Sequence, residues 1–252
     1  MKLPVNRFRQ ALAEGRQQLG LWCSLPSAYA AEVVAGSGFV WLLLDTEHSP
    51  SDVPTVLEQL HATAAYDVSP VVRPASNDIV LIKRYLDIGA QTLLIPYVQS
   101  AAEAAQAVAA MRYPPGGVRG VAALTRATRF GRVEGYARRA AEELCLLVQV
   151  ETQQALEAIA AVEGVDGIFI GPGDLAASLG YPGEQSHPTV VAAIEDAIRR
   201  VRAAAKPAGI LTADTAFAKR CIALGTTFTA VGADVGILAR GSEKLAQEFR
   251  TN

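Results

Sequence analysis

The residues of this chain that could do chemistry stand directly after short apolar runs. Asp45-Thr46-Glu47-His48 ends and follows the run Val40–Asp45, and Arg73 ends Pro70–Arg73. Gln149 and Glu151 lie within and at the end of Cys145–Glu151, Gly171-Pro172-Gly173-Asp174 follows Gly167–Ile170, and Asp234 stands near the end of Phe228–Gly232. Glu151 and Asp174 would end neighbouring strands, which lie ~4.8 Å apart. Two hard oxygen ligands with room for water and substrate suit Mg²⁺ or Mn²⁺. The rival reading is a solvated glutamate and a helix N-cap, since Asp174 precedes Leu175-Ala176-Ala177-Ser178. His48 with Asp45 is a candidate base and its orienting carboxylate, against an ordinary polar turn. Arg73 could pair bidentately with a carboxylate or an enolate oxygen, against a structural ion pair. The Gly171–Asp174 turn exposes backbone N–H groups that could hold a carboxylate, against a plain tight turn.

Other residues are weaker candidates. Arg119, Arg126, Arg129 and Arg132 form a basic run that could meet a distal acid group or a neighbouring subunit, although a solvated face is the simpler reading of each. His61 and His187 lack evident partners, and Trp22 and Trp41 sit in apolar runs and read as core. Lys83 and Lys206 lie in or beside helix-like stretches, away from the strand ends. There is no Gly-x-Ser-x-Gly elbow, no Gly-x-Gly-x-x-Gly and no phosphate-loop lysine.

The elements that must position these residues alternate regularly. Eight apolar runs, Gly20–Leu25, Val40–Asp45, Pro70–Arg73, Thr92–Tyr97, Cys145–Glu151, Gly167–Gly171, Ala208–Leu211 and Phe228–Gly232, read as strands buried on both faces. Helix-like stretches lie between them: Ala28–Ser37, Val53–Ala65, Asn77–Ile88, Ala101–Arg112, Thr152–Val162, Pro188–Ala205 and Ala213–Leu224. Ser51-Asp52 and Ser100 with Glu103 give start signals, and Gly89, Gly164 and Gly225 give stops. Strands alternating with helices make a parallel sheet, and the length fits one closed (β/α)8 TIM barrel spanning 1–252, with a doubly wound open sheet as the competitor. Barrel chemistry sits at the C-terminal strand ends, where the polar residues fall.

Composition narrows the field. Lys plus Arg is 23 and Asp plus Glu is 25 in 252 residues, so the net charge is −2, which argues against nucleic acid as a partner. No apolar run reaches the ~18 residues of a membrane span, so no membrane partner is expected. Met1–Gln10 has no apolar core of a secretory signal, and Cys23, Cys145 and Cys221 read as free buried thiols of a reducing cytoplasm.

Several stretches carry a family pattern: GLWCSLPSAYAAEVVAGSGFVWLLLDTEHSP, PVVRP, IKRYLDIGAQTLLIPYVQSAAEA, MRYPPGGVRGV, LLVQVET and AVEGVDGIFIGPGDLAASLGYPG, which run in order along nearly the whole chain. The sequence resembles the HpcH/HpaI family of metal-dependent (class II) pyruvate aldolases, which includes 4-hydroxy-2-oxoheptanedioate aldolase. The resemblance implies a barrel of the phosphoenolpyruvate/pyruvate type and a carbon–carbon lyase of aromatic or sugar acid catabolism. Its substrates would be a small-molecule 2-oxo acid, pyruvate or hydroxypyruvate, and an aldehyde. It implies a homohexamer, a trimer of dimers, and a divalent metal, Mg²⁺ or Mn²⁺, with Co²⁺, Ni²⁺ and Zn²⁺ also compatible. On this pattern Glu151 and Asp174 hold the metal, His48 with Asp45 handles protons, and Arg73 binds the enolate. Gln149 contacts a metal water or the substrate, and the Gly173 and Asp174 amides hold the keto acid's carboxylate. The arginine-rich connection matches a loop near the site, often at a subunit boundary. The chain departs from the pattern at Thr46, where glycine is frequent, at Gly173, where alanine is frequent, and in a shorter Glu151–Asp174 interval. The first two bear on donor and acceptor preference. A lyase acting on a CoA ester and a non-catalytic 2-oxo acid binder are the alternatives.

Overall fold

The structure, a computed structural model, describes residues 1–152 and 156–250. Eight parallel strands close into a barrel in chain order, so the open-sheet competitor is excluded. The strands are β1 (Gln18–Cys23), β2 (Trp41–Asp45), β3 (Ser69–Arg73), β4 (Thr92–Ile95), β5 (Cys145–Val150), β6 (Gly167–Ile170), β7 (Ala208–Leu211) and β8 (Thr226–Ala233). The helices are α1 (Arg7–Ala13), α2 (Ala28–Ala35), α3 (Val53–Ala62), α4 (Ile79–Asp87), α5 (Ala101–Met111), α6 (Tyr136–Arg139), α7 (Leu156–Ala160), α8 (Pro172–Ser178), α9 (Pro188–Ala203), α10 (Thr215–Leu224) and α11 (Asp234–Glu248). Every expected strand is present. β1 starts and ends two residues before the Gly20–Leu25 reading, and residues 153–155 of the expected Thr152–Val162 helix lie outside the described residues.

Strand parity explains both the core and the site. In β2, Leu42 and Leu44 face the helices, while Trp41 and Leu43 fill the barrel interior. In β5, Leu146 and Val148 face outward, and Cys145 and Leu147 face inward. Two residues beyond the last inward apolar side chain of β2, β3 and β5 stands a buried polar one: Asp45 after Leu43, Arg73 after Val71, Gln149 after Leu147. The period of two therefore delivers the polar residues to the mouth of the barrel.

The lower interior is aromatic. A Cβ on Gly20 would collide with the Trp41 ring, and one on Gly209 with the Phe228 ring, so these glycines make room for bulky neighbours. Helix α1, outside the expected elements, closes the lower end: its Phe8 lies 5.7 Å from Trp41 and 6.0 Å from Phe228 between ring centroids. Asn6 caps α1 by accepting from the Arg9 amide.

The start signals act as read. Asp52 accepts from the Thr55 amide and Ser100 from the Glu103 amide, while the Glu103 carboxylate turns back to Gln99 N. Gly225 ends α10 at φ +109°, a conformation closed to most side chains. α11 differs from the other long helices. Of its residues only Asp234 is buried, and Ile237, Leu238 and Leu245 are about 60% exposed, at 58%, 61% and 59%.

Candidate active site

A line of buried polar side chains crosses the mouth over β2, β3 and β5. Asp45 pairs with Arg73 across the register of β2 and β3. The Arg73 guanidinium donates from Nε to Asp45 Oδ1 at 2.8 Å and from Nη2 to Oδ2 at 2.7 Å, a bidentate fork. Its Nη1 forms an ion pair with Glu47 Oε2 at 2.7 Å and donates to Gln149 Oε1 at 3.3 Å. Gln149 Nε2 in turn donates to Glu151 Oε1 at 2.6 Å. The glutamine thus couples the arginine to the glutamate and fixes its own amide orientation. Trp22, expected as core, is buried in the core and also joins this line: its indole Nε1 donates to Asp45 Oδ2 at 3.3 Å, and Arg73 lies 5.0 Å over its ring.

The charges in this line respond to burial. Burial opposes the Asp45 charge, but the Arg73 fork, with help from the Glu47 amide and Trp22, holds the carboxyl below its ordinary range. Glu47 is raised by burial, only partly offset by Arg73 and His48. Glu151 is pushed up to about 7, chiefly by burial; the Gln149 hydrogen bond opposes this, and the Asp174 and Glu47 charges add to it.

The donor set suits a divalent cation. Glu151 Oε2 is buried and has no hydrogen-bond partner among the described residues. An acceptor-only oxygen in that state calls for a positive ligand. Gly171 permits this placement, since a Cβ there would stand 3.0 Å from Glu151 Cγ. Asp174 sits at the rim, in the first turn of α8, and makes no capping bond; Gly171 occupies the N-cap position, so the N-cap rival is not what the structure forms. Among the described residues no cluster of three or more His, Cys, Asp or Glu could hold a metal. Glu151 and Asp174 would leave the remaining coordination positions to water and substrate.

One expected pairing is corrected. Asp45 does not orient His48, because both of its oxygens are taken by Arg73, Trp22 and the Glu47 amide. The His48 side chain is 69% exposed at the rim, with Glu47 at 3.9 Å from its Nε2. The bidentate geometry of a guanidinium outcompetes an imidazole three residues away in sequence. Glu47, named in the sequence only as part of the Asp45–His48 stretch, and Trp22 join this network without having been given a role in it.

The mouth holds a cleft of about 330 Å³ lined by His48, Arg73, Gln149, Gly173 and Asp174, with Trp22 and Phe169 at its floor. None of the four arginines of the basic run lines it. Arg119 corrects the solvated reading outright: it is fully buried, bonded to Asp87 at 2.7 Å and stacked 4.5 Å from the Tyr113 ring centroid. Arg126 is half-buried and donates to the Ile88 carbonyl at 2.8 Å, while Arg129 and Arg132 are exposed. Asp234 is spent on the Ser24 and Leu25 amides at 2.8 and 3.2 Å. Lys206 bonds the Val165 carbonyl before β7, and Lys83 lies within α4, so neither lysine lines the cleft. His61 is exposed, and His187 caps α9. Thr46 also lies off the cleft: its hydroxyl donates to the Arg73 carbonyl at 2.7 Å and accepts from Tyr85 Oη at 3.0 Å.

Residues 18–240 match the HpcH/HpaI aldolase/citrate lyase family. The chain belongs to that family. It is 69% identical over 254 aligned positions, with full coverage of both chains, to a Rhizobium etli protein named pyruvate aldolase. It is 55% identical to a hydroxypyruvate/pyruvate aldolase of Pseudomonas aeruginosa, over 99% of this chain and 95% of that one. A crystal structure of an HpcH/HpaI family protein from Burkholderia cenocepacia superposes with a TM-score of 0.93 at 40% identity, covering 98% of this chain and 100% of the other. This HpcH/HpaI member is an aldolase, a carbon–carbon lyase. No helix among its described residues is long and apolar enough to cross a membrane.

Proposed function

We propose that this aldolase reversibly cleaves 4-hydroxy-2-oxo acids to pyruvate or hydroxypyruvate and an aldehyde through an enolate. The observation that carries the reading is the continuous line Asp45–Arg73–Gln149–Glu151, which ends at the unpartnered Glu151 Oε2 beside Asp174. The names of the Rhizobium and Pseudomonas relatives support the two donors.

Glu151 and Asp174 would hold the divalent cation, with Mg²⁺ or Mn²⁺ favoured by two carboxylates and Co²⁺, Ni²⁺ or Zn²⁺ tolerated. When bound, the cation supplies Lewis-acid polarisation of the 2-oxo group. The protein's own groups do the rest. The Gly173 and Asp174 amides at the start of α8 receive the keto acid's carboxylate. Arg73, held rigid by Asp45, places positive charge where the enolate oxygen develops. His48 at the rim takes the proton of the C4 hydroxyl. As the aldehyde carbonyl forms, the C3–C4 bond pair becomes the C2–C3 double bond and the C2 carbonyl pair moves onto its oxygen; the protonated His48 then gives its proton to C3, which restores the 2-oxo group and releases the oxo acid.

We also propose a homo-oligomer, in keeping with the trimer of dimers that the resemblance implies. The apolar side chains that α11 leaves exposed support this reading. The buried free thiols Cys23, Cys145 and Cys221 support a cytoplasmic setting.

The test is pyruvate in D₂O followed by proton NMR, with chelator-treated protein before and after Mn²⁺ or Mg²⁺ is added. The expected outcome is metal-dependent loss of the methyl signal in the absence of any aldehyde. No exchange with either cation, and turnover of a CoA ester instead, would replace this reading with the thioester lyase.

A further inference from the structure

The cleft is open over the ends of β6, β7 and β8, and the wall there is chemically distinct. Gly173, Gln185, Thr212, Ala213, Gly232 and Ala233 form it. Asp174, next to Gly173, is the one charged residue at these strand ends in the cleft, and it is an anion, so this wall carries no cation. The guanidinium that lines the cleft, Arg73, is committed to Asp45, Glu47 and Gln149, and the imidazole of His48 stands at the rim.

Two side chains on this wall carry free hydrogen-bonding capacity. Gln185 makes no side-chain hydrogen bond among the described residues, and its Nε2 lies 3.5 Å from the point where a Cβ on Gly173 would stand. Its loop is held from within. Tyr181 and His187 stack at 3.8 Å between ring centroids, and the Glu184 and His187 amides donate to the Tyr181 and Glu184 carbonyls at 3.0 Å. His187 Nδ1 also accepts from the Thr189 amide at 3.3 Å, which ties the loop to α9. Thr212 Oγ1 accepts from the Asp214 amide at 3.3 Å, so its O–H proton remains to be donated. The Thr212 backbone is pinned to the Ala230 carbonyl at 3.0 Å.

We infer that Gln185 and Thr212 select the acceptor, and that they read the hydroxyl groups of a short neutral hydroxyaldehyde. The inference rests on the aldol reading above and names its second substrate class. A carboxamide and a hydroxyl together both donate and accept, which matches the dual character of substrate hydroxyls. An aldehyde ending in a carboxylate, such as the four-carbon product of a 4-hydroxy-2-oxoheptanedioate, would bring an acceptor-only anion to a wall without a cation. An unsubstituted aldehyde would leave the two polar groups unpaired once water is displaced.

The experiment is a panel of aldol additions to pyruvate with glyceraldehyde, propanal and succinic semialdehyde as acceptors. Wild-type enzyme should favour glyceraldehyde over both of the others by about 10- to 100-fold in kcat/KM. Gln185→Leu and Thr212→Val should each shrink the glyceraldehyde-to-propanal ratio several-fold, chiefly through KM for glyceraldehyde. A general structural defect would lower both aldehydes together and leave the ratio intact. Gln185→Arg should shift acceptance toward succinic semialdehyde. The inference is overturned if wild-type enzyme prefers succinic semialdehyde, or if the ratio is unchanged in both polar-to-apolar variants. Methyl exchange of pyruvate by the wild-type enzyme, run without aldehyde, separates the two levels: its absence refutes the aldol reading itself, and its presence leaves the panel to judge the acceptor.

Discussion

Over β2, β3 and β5 the barrel mouth is cross-linked, whereas over β6, β7 and β8 it is open. On the first side Asp45, Arg73, Gln149 and Glu151 are all buried and each bonds the next. On the second side glycine, alanine, Thr212 and Gln185 line free space. Reaction chemistry needs fixed charges, because a preorganised guanidinium need not reorganise as the enolate forms. Substrate choice needs room and spare hydrogen bonds. On the proposed reading the molecule separates the two demands by strand, and each half should be breakable without the other.

The largest effects belong to the fixed half. Arg73→Lys keeps one positive charge but loses the fork to Asp45 and the bond to Gln149. It should lower kcat by about 100- to 1,000-fold, the cost typical of a lost transition-state donor. It should also lower Tm, because a lysine satisfies the buried Asp45 poorly. His48→Ala should cost activity on a similar scale, about 100-fold or more, yet leave Tm nearly unchanged, since the side chain is 69% exposed and holds no buried partner. Steady-state kinetics with parallel thermal melts would separate the pair. Equal loss of Tm in both variants would refute the division between a structural arginine fork and a free rim histidine.

Next in size is Glu151, where function and stability oppose each other. Burial lifts its pKa from 4.5 to about 7, so the metal-free protein is penalised as pH rises through that interval. The sign is opposite to that of Asp45, whose stabilisation is present above its ordinary pKa and fades on acidification. Metal-free Glu151→Gln should therefore be more stable than the metal-free parent at neutral pH, by roughly 2 kcal/mol. The difference should vanish in acid, below the ordinary range of a glutamate. On the proposed reading the same proton should govern metal uptake. Apparent affinity for Mn²⁺ should rise about tenfold per pH unit up to about pH 7 and then level, because the carboxyl must ionise before it can coordinate. Denaturant melts and calorimetric titration across pH measure both. A pH-independent affinity would mean that Glu151 is already ionised.

How much of this was legible depended on parity and register. The strand tops followed from a period of two, which is why Asp45, Arg73, Gln149 and Glu151 were visible as candidates. Glu47 carried the same signal, two residues beyond Asp45 as Glu151 is two beyond Gln149. The partner of Asp45 was not legible. Its pairing with Arg73 depends on the β2–β3 register, which connects residues 28 apart, and the nearer His48 masked it. Gln185 was hidden for a different reason: only the fold brings its loop over Gly173. α1 offered a weak trace in Asn6, Phe8 and Leu12, a cap followed by apolar residues four apart, but nothing in the sequence shows that it closes the barrel floor.

Thr46 gives the smallest expected effect on substrate choice and the sharpest control on the comparison. The resemblance marks it and Gly173 alike as bearing on donor and acceptor preference, so a reading from sequence treats them alike. The structure places Gly173 on the open wall and buries Thr46 behind the fixed half, between the Arg73 carbonyl and Tyr85. Thr46→Val removes the hydroxyl at almost constant volume and leaves both of those partners short of one bond. The cost should be about 1–3 kcal/mol in stability. The ratio of glyceraldehyde to propanal use should stay at the wild-type value, whereas Gly173→Ala, which adds a methyl 3.5 Å from Gln185 Nε2, should change it. If Thr46→Val moved that ratio instead, the β3 end would be transmitting its position to the acceptor, and the two halves of the mouth would not be separable.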